Sequence, residues 1–216
     1  DMADTLPYLV EYPHGCVEQT MSRFLPAILV AQMLSKVGHG SPELEKLLPH
    51  VADAGMKRLI ELQQEDGGWG WQGTSQTHEM MTPYALMGLI EAEKAGYPCP
   101  NPHTIDRGLN RLSAFLSGMQ NAWPNEKGEW PKAENREGNR VNDAMVILSV
   151  FARKRPVGDE WWKRIEQAAA TERLSDYGHA LALEIAVRGE KKDLATKLAD
   201  ELHKRAQKAG DRVLWK

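Results

Sequence analysis

The chain has 216 residues and a formal net charge of −3, with 42% hydrophobic and 26% charged residues. That length and composition suit one soluble domain with a sizeable core, and the near-neutral charge argues against a dedicated nucleic-acid binder. No apolar run approaches the about 20 residues of a membrane-spanning helix. Neither nucleic acid nor membrane is therefore expected as a partner of this domain; no basic or apolar leader opens the chain either, as an excised domain would show whatever its parent's address.

The first informative segment is Tyr12-Pro13-His14-Gly15-Cys16-Val17-Glu18-Gln19-Thr20. Pro13 and Gly15 predict a turn. A helix follows from about Glu18 to Val37, with Met21, Phe24, Leu25, Ile28, Leu29, Met33 and Leu34 at helical spacing. Pro26 inside it is expected to bend or restart it. Gly38-His39-Gly40-Ser41-Pro42 predicts a stop and a new start, with Ser41 as cap and Pro42 in the first position. The second helix, interrupted near Pro49, is expected to run to about Gln64, where Gln64-Glu65-Asp66-Gly67-Gly68-Trp69-Gly70-Trp71 breaks it. Helix resumes from about Thr82 to Ala95, with Gly96 as the stop.

The pattern then repeats. Leu109 to Gln120 reads as helix, Gly128-Glu129-Trp130-Pro131 as a second tryptophan loop, and Val141 to Arg153 as helix. A helical pair follows at roughly Asp159–Thr171 and Ser175–Arg188. Leu202 to Lys208 reads as the start of a third copy, with Gly210-Asp211-Arg212-Val213-Leu214-Trp215 as its loop. About ten helices are expected, with little strand. Tandem helix pairs suggest an α-solenoid or an α/α toroid, and the uneven spacing of the tryptophan loops favours the toroid. The fold class expected is therefore all-α, an α/α toroid of helical hairpins.

Cys16 and Cys99 are too few for a disulfide framework. Cys99 lies in a proline-rich loop and receives no function. No metal site is expected: no CxxC occurs, and His78-Glu79 lacks a second His four residues after the first. Cys16 is different, because it stands at a helix N-terminus, where partial positive charge favours a thiolate as nucleophile and as leaving group. Gln19 lies three residues on, on the same helix face. The Cys16 sulfur can reach the Gln19 carboxamide, and loss of ammonia would leave a thioester. An amine or hydroxyl attacking that acyl carbon would become covalently bound and free the thiol. Taken alone, the spacing also fits a chance pair beside a buried structural cysteine, the commoner case at a helix start.

Gly15-Cys16-Val17-Glu18-Gln19 resembles the Gly-Cys-x-Glu-Gln thioester motif of the α2-macroglobulin and complement C3 family. Val17 stands where Gly is usual, as in the bacterial branch. Tyr12-Pro13-His14 before it and Thr20-Met21-Ser22-Arg23-Phe24-Leu25-Pro26 after it fit as well, and Gln63–Trp71 resembles the family's glycine-aromatic loops. The resemblance implies a single thioester-containing α/α-toroid domain over residues 1–216, excised from a larger multidomain protein. It implies a bacterial, complement-like protease inhibitor of the periplasm or cell exterior. Such a protein is no enzyme but a covalent trap acting once, with Cys16 and Gln19 as the reacting pair and no cofactor beyond the internal thioester. The implied partners are target proteases, held through amide links, and the other domains of the parent chain. Tyr12, Pro13, Gly15 and Glu18 are candidate shielding or supporting residues, with Trp69, Trp71, Met80 and Met81 as apolar candidates.

Two departures from the family pattern carry expectations. Members with broad ester-forming reactivity have a downstream catalytic His, whereas Trp130 to Val141 contains none, so amines should react in preference to hydroxyls. His78, in the earlier loop, reads as a surface or capping residue. The third tryptophan loop ends at Lys216, which suggests an incomplete ring. The rival readings are a toroid-fold enzyme (cyclase, prenyltransferase or glycosidase-like), a cysteine enzyme pairing Cys16 with His14, and a helical interaction module with an inert Cys16. No Asp-x-Asp-Asp string supports a cyclase, and Glu65, Asp66 and Glu79 are the acids a glycosidase would draw on.

Overall fold

The computed structural model describes residues 15–37, 42–73, 75–125, 127–131, 136–209 and 212–214. The expectations for Tyr12, Pro13, His14, the Ser41 cap and Trp215 lie outside these residues. The described chain is helical apart from one short ribbon. In order it forms α1 (Val17–Val37), α2 (Pro42–Leu62), α3 (Met81–Lys94), α4 (Pro102–Gly118), a 3₁₀ turn (Gln120–Ala122), α5 (Arg136–Phe151), α6 (Asp159–Ala169), α7 (Asp176–Arg188) and α8 (Lys192–Arg205). The strands β1 (Gln207–Ala209) and β2 (Arg212–Leu214) pair antiparallel.

Neither internal proline ends its helix. Pro26 sits on the exposed side of α1, while Phe24, Ala27 and Ile28 beside it are buried. Pro49 is likewise exposed in α2, next to the buried Leu48, Val51 and Ala52. An interior proline costs about 3 kcal/mol, whereas each large apolar side chain buried returns about 1.5–3 kcal/mol. The core therefore outweighs the break that local propensity predicts.

Two other expectations shift. Helix α4 begins at Pro102, seven residues before the expected Leu109, because Asn101 caps it: its side-chain oxygen accepts the His103 N–H at 3.1 Å. The expected helix over Leu202–Lys208 instead supplies the end of α8 up to Arg205 and the first residues of β1, and Arg212–Leu214 of the expected third tryptophan loop form β2, while Gly210, Asp211 and Trp215 lie outside the described residues. Helix α8 buries only Leu194 and Leu198, a stripe too narrow to show as periodicity among its charges.

The chain divides into two compact units, residues 1–112 and 113–216. In the first, α1 packs on both α2 and α3. Gly88 of α3 permits this approach, since a methyl group there would stand 2.6 Å from Met21 Sδ and 3.1 Å from Phe24 Cε1. In the second, α5 packs on the 3₁₀ turn and on α7, and α7 packs on α8. Trp123, Trp130 and Trp161 cluster there, with the Arg164 guanidinium 4.8 Å from the Trp161 ring.

The two tryptophan loops are copies in backbone as well as in sequence. In the first, Gln64 N–H donates to Gly68 C=O at 2.8 Å and Gly67 N–H to Gln64 C=O at 3.0 Å. In the second, Asn125 N–H donates to Glu129 C=O at 3.0 Å and Gly128 N–H to Asn125 C=O at 2.9 Å. Gly67 and Gly128 occupy matching positions at φ +87° and +78°, where a side chain would be strained.

Candidate functional site

The Cys16–Gln19 segment forms a capping box, the reciprocal arrangement usually made by Ser or Thr with Glu or Gln. Cys16 immediately precedes the first helical residue of α1, and Gln19 is the third residue in. The Cys16 N–H donates to Gln19 Oε1 at 3.1 Å, and the Gln19 N–H donates to Cys16 Sγ at 3.5 Å. A sulfur is a weak acceptor, so the box holds the carboxamide oxygen on the Cys16 N–H more firmly than it holds the sulfur on the Gln19 N–H. Gln19 is exposed and Cys16 partly so.

Several groups fix this end of the helix. Gly15 leaves room for the folded-back glutamine, since a methyl group there would stand 2.9 Å from Gln19 Cβ and 3.3 Å from Gln19 Oε1. The Arg58 guanidinium of α2 donates to Gly15 C=O at 3.0 Å and to Glu61 at 3.0 Å. Val17 is fully buried, and its N–H donates to the Trp71 carbonyl at 3.2 Å. The first tryptophan loop is thereby tied directly to the residue after Cys16. Thr20 Oγ1 donates to Cys16 C=O at 2.8 Å.

The loop is in turn held rigidly. Asp66 accepts from Gly68 N–H at 3.0 Å and from Thr77 Oγ1 at 2.6 Å, and pairs with Arg111 at 3.3 Å. Burial pushes the Asp66 carboxyl up, but the Thr77 and Gly68 hydrogen bonds and the charges of Arg111 and Arg107 together hold it below its ordinary value. Trp69 is fully buried; its indole N–H donates to Leu59 C=O at 2.7 Å and its backbone N–H to Thr82 Oγ1 at 3.0 Å.

Of the candidate shielding residues, Gly15 is buried beneath Gln19 and Glu18 is exposed. Glu18 faces Tyr84: burial and then the Glu18 charge hold the Tyr84 phenol above its ordinary value. Trp69 and Met81 are core residues, whereas Trp71 is 49% exposed and reaches the site through its carbonyl. His78 packs edge-on to Trp71 with ring centroids 5.6 Å apart, and its Nδ1 accepts the Met80 N–H at 3.2 Å. A neutral imidazole that accepts at Nδ1 carries its proton on Nε2, which leaves neither nitrogen a free lone pair for use as a base.

The second cysteine lies apart in character. Cys99 is buried, its Sγ donates to Asn101 C=O at 3.2 Å, and burial above all pushes its thiol up. Sequence reading missed Arg58, the Trp71 carbonyl and Arg23. Arg23 could have been found, because it is one turn beyond Gln19 on the same helix face. Arg58 could not, since 43 residues separate it from Gly15.

Comparison with known proteins follows the same lines. The family model for the A-macroglobulin TED domain matches residues 1–129. The chain is 31% identical over 199 residues to the α2-macroglobulin of Escherichia coli K12, covering 88% of this chain and 11% of that protein. Native E. coli α2-macroglobulin, solved from domain MG7 to the C-terminus, aligns with 99% of this chain and 32% of its own at 23% identity and TM-score 0.66. Salmonella α2-macroglobulin reacted with methylamine aligns with 97% of this chain and 13% of its own at 25% identity, also at TM-score 0.66. The chain thus spans about a tenth or less of the length of the curated relatives it matches, and its fold, helical apart from the one short ribbon, is of the α/α-toroid type. The chain belongs to the A-macroglobulin TED domain family, with the α2-macroglobulins of bacteria as its relatives.

Proposed function

We propose that this chain is the single thioester domain, residues 1–216, of a larger bacterial protease inhibitor, and that it binds attacking proteases covalently. The capping box carries the reading. It turns the Cys16 and Gln19 side chains back over the same first turn of a packed helix, which supports a bond between them. In forming the bond, the Cys16 sulfur adds to the Gln19 acyl carbon and ammonia leaves, taking the thiol proton. In reacting, a protease lysine amine adds to the same carbon, the carbon–sulfur bond breaks, and the amine proton ends on Cys16. The product is an amide, so each molecule acts once. No cofactor is required, because the activated acyl group lies within the chain.

The relative reacted with methylamine supports the reading, as does the long parent chain of the relatives. Gln19 is exposed on this domain, so neighbouring domains of the parent chain are the partners that keep water from the bond. No helix among the described residues is long and apolar enough to cross a membrane. We place the protein in the periplasm or outside the cell, where foreign proteases are met. The test is to mix the full-length protein with trypsin, denature, and sequence the conjugates by mass spectrometry. A peptide joining Gln19 to a trypsin lysine is expected, and none from Cys16→Ala. Conjugates that map elsewhere, or that persist in Cys16→Ala, would contradict the proposal.

A further inference from the structure

One peptide group joins the acyl site to α2. The carbonyl of the peptide between Gly15 and Cys16 accepts from Arg58 Nε at 3.0 Å, and the N–H of the same peptide donates to Gln19 Oε1 at 3.1 Å. A backbone N–H can only donate, so the atom it meets is the acyl oxygen of Gln19 and not the nitrogen that leaves as ammonia. Hydrogen bonds in a chain polarise one another. A cation on the carbonyl end of a peptide draws electron density from it and makes the N–H at the other end a stronger donor. Arg58 is fixed in this role. Its Nη1 donates to Glu61 at 3.0 Å; that carboxylate is 63% exposed, so it orients the guanidinium and leaves Nε to the Gly15 carbonyl. Met56 and Leu59 beside Arg58 are buried, and Gly55, one turn before it, lets α2 close on α1: a methyl group there would stand 2.7 Å from Phe24 Cγ. The carboxamide also lines a cavity of about 350 Å³ with Gly15, Ser22 and Arg23. The hydroxyls around the pair are committed elsewhere: Ser22 Oγ donates to Gln19 C=O at 3.1 Å and Thr20 Oγ1 to Cys16 C=O at 2.8 Å.

We propose that the Cys16 N–H is the oxyanion donor of the acyl site, and that Arg58 is the positioning residue that aims and strengthens it through the Gly15 carbonyl. The inference rests on the thioester reading above. As the bond forms, the Cys16 sulfur adds to the Gln19 acyl carbon and an electron pair of the C=O bond moves onto Oε1, where the N–H meets it. The C=O bond then re-forms, the carbon–nitrogen bond breaks, and ammonia leaves with the thiol proton. When an amine attacks, the same oxygen takes the charge again, the carbon–sulfur bond breaks, and the amine proton ends on sulfur. A donor already aimed at that oxygen stabilises both transition states. Arg58 itself touches no reacting atom.

The test uses the freshly purified full-length protein, with a heavy isotope at the side-chain carbonyl carbon of glutamine. Infrared difference spectra before and after methylamine isolate the one carbonyl that reacts. An accepted hydrogen bond weakens a carbonyl and lowers its stretching frequency, so the band of the unmodified protein should lie below that of a simple alkyl thioester, labelled alike, in a dry aprotic solvent. Arg58→Met keeps the apolar stem and removes donor and charge. It should raise the band and slow thiol release by methylamine roughly tenfold, short of the about 10²–10³-fold lost when an oxyanion donor itself is removed. Arg58→Lys should recover most of both. A purely structural Arg58 would lower the melting temperature and leave the band of the folded protein where it was. A band in the unmodified protein at or above that of the simple thioester, or an unchanged band or rate in folded Arg58→Met, would overturn the assignment. Those results sink this inference alone when methylamine releases a thiol from the unmodified protein; no release sinks the thioester reading with it.

Discussion

Cys16 and Gln19 cap one another: the amide N–H of each points at the side chain of the other, at 3.1 Å to Gln19 Oε1 and 3.5 Å to Cys16 Sγ. Helix capping and the proposed thioester formation thus call on the same two side chains, and substitutions can separate the two roles. Ser at position 16 and Glu at position 19 keep a capping box, while Ala removes half of it. Cys16→Ser and Gln19→Glu should leave thermal stability of the domain within about 0.5 kcal/mol. Gln19→Ala or Cys16→Ala should cost about 0.5–2 kcal/mol. All four should abolish amine uptake. Denaturant melts read the first effect and labelled methylamine the second.

Asp66 ties the tryptophan loop to Thr77, Gly68 and Arg111, and its carboxyl is held below the ordinary value of 3.8. A carboxyl depressed in the folded state contributes stability that is fully present above its unfolded value and lost as pH falls through its folded value. Asp66→Asn should therefore melt below the unmodified protein at pH 7. The two curves should converge as pH drops below about 4. Melting temperature against pH checks this, and a difference that stays constant down to pH 2 would show that the charge of Asp66 is not what matters.

His78 stands near the site through Trp71, yet its Nδ1 is occupied by the Met80 N–H. With that nitrogen occupied, His78 does not activate a hydroxyl and amines should dominate. Incubating the full-length protein with equal concentrations of labelled methylamine and glycerol should give at least tenfold more methylamine adduct, a margin smaller than the about 10²–10⁴-fold that one general base contributes. His78→Ala should leave that ratio unchanged. Comparable glycerol uptake, falling in His78→Ala, would make His78 a catalytic residue.

The close packing of α1 on α3 depends on the missing side chain at Gly88. Gly88→Ala would place a methyl 2.6 Å from Met21 Sδ and 3.1 Å from Phe24 Cε1. Overpacking of this kind typically costs about 1–3 kcal/mol, even though alanine favours a helix by about 1 kcal/mol over glycine. A denaturant midpoint at or above that of the unmodified protein would mean that Met21 moves aside freely.

Much of this was legible in the chain itself. The heptad-like spacing of Met21, Phe24, Ile28 and Leu29 gave α1, and Gly96 marked the end of α3, where Gly96 N–H meets Glu93 C=O and Tyr97 N–H meets Ala92 C=O at 3.0 and 2.9 Å. The Cys-Gln spacing and the motif around it pointed to the pair, and the structure brings these two residues together as a capping box. The misreadings share a cause. Pro26 and Pro49 look like breaks because propensity is local, whereas the burial of Phe24, Ile28, Leu48 and Val51 that overrides them is not. Asn101-Pro102 was a readable cap and first position, hidden by the other prolines around Cys99. Contacts such as Arg58 on Gly15 and Trp71 on Val17 join residues 43 and 54 apart, and only the fold brings them together.

Intact mass of the full-length protein, freshly isolated and kept from nucleophiles, tests the central claim most directly. The account predicts a mass lower by one ammonia, about 17 Da, and a gain of about 31 Da on methylamine treatment, localised to Gln19 with one new thiol at Cys16. Of the two cysteines in this chain, Cys16 should then label rapidly with iodoacetamide and Cys99 slowly, since Cys99 is buried and its thiol is pushed up. A mass equal to the unmodified sequence, with a free Cys16 thiol and an intact Gln19 carboxamide before any treatment, would contradict it.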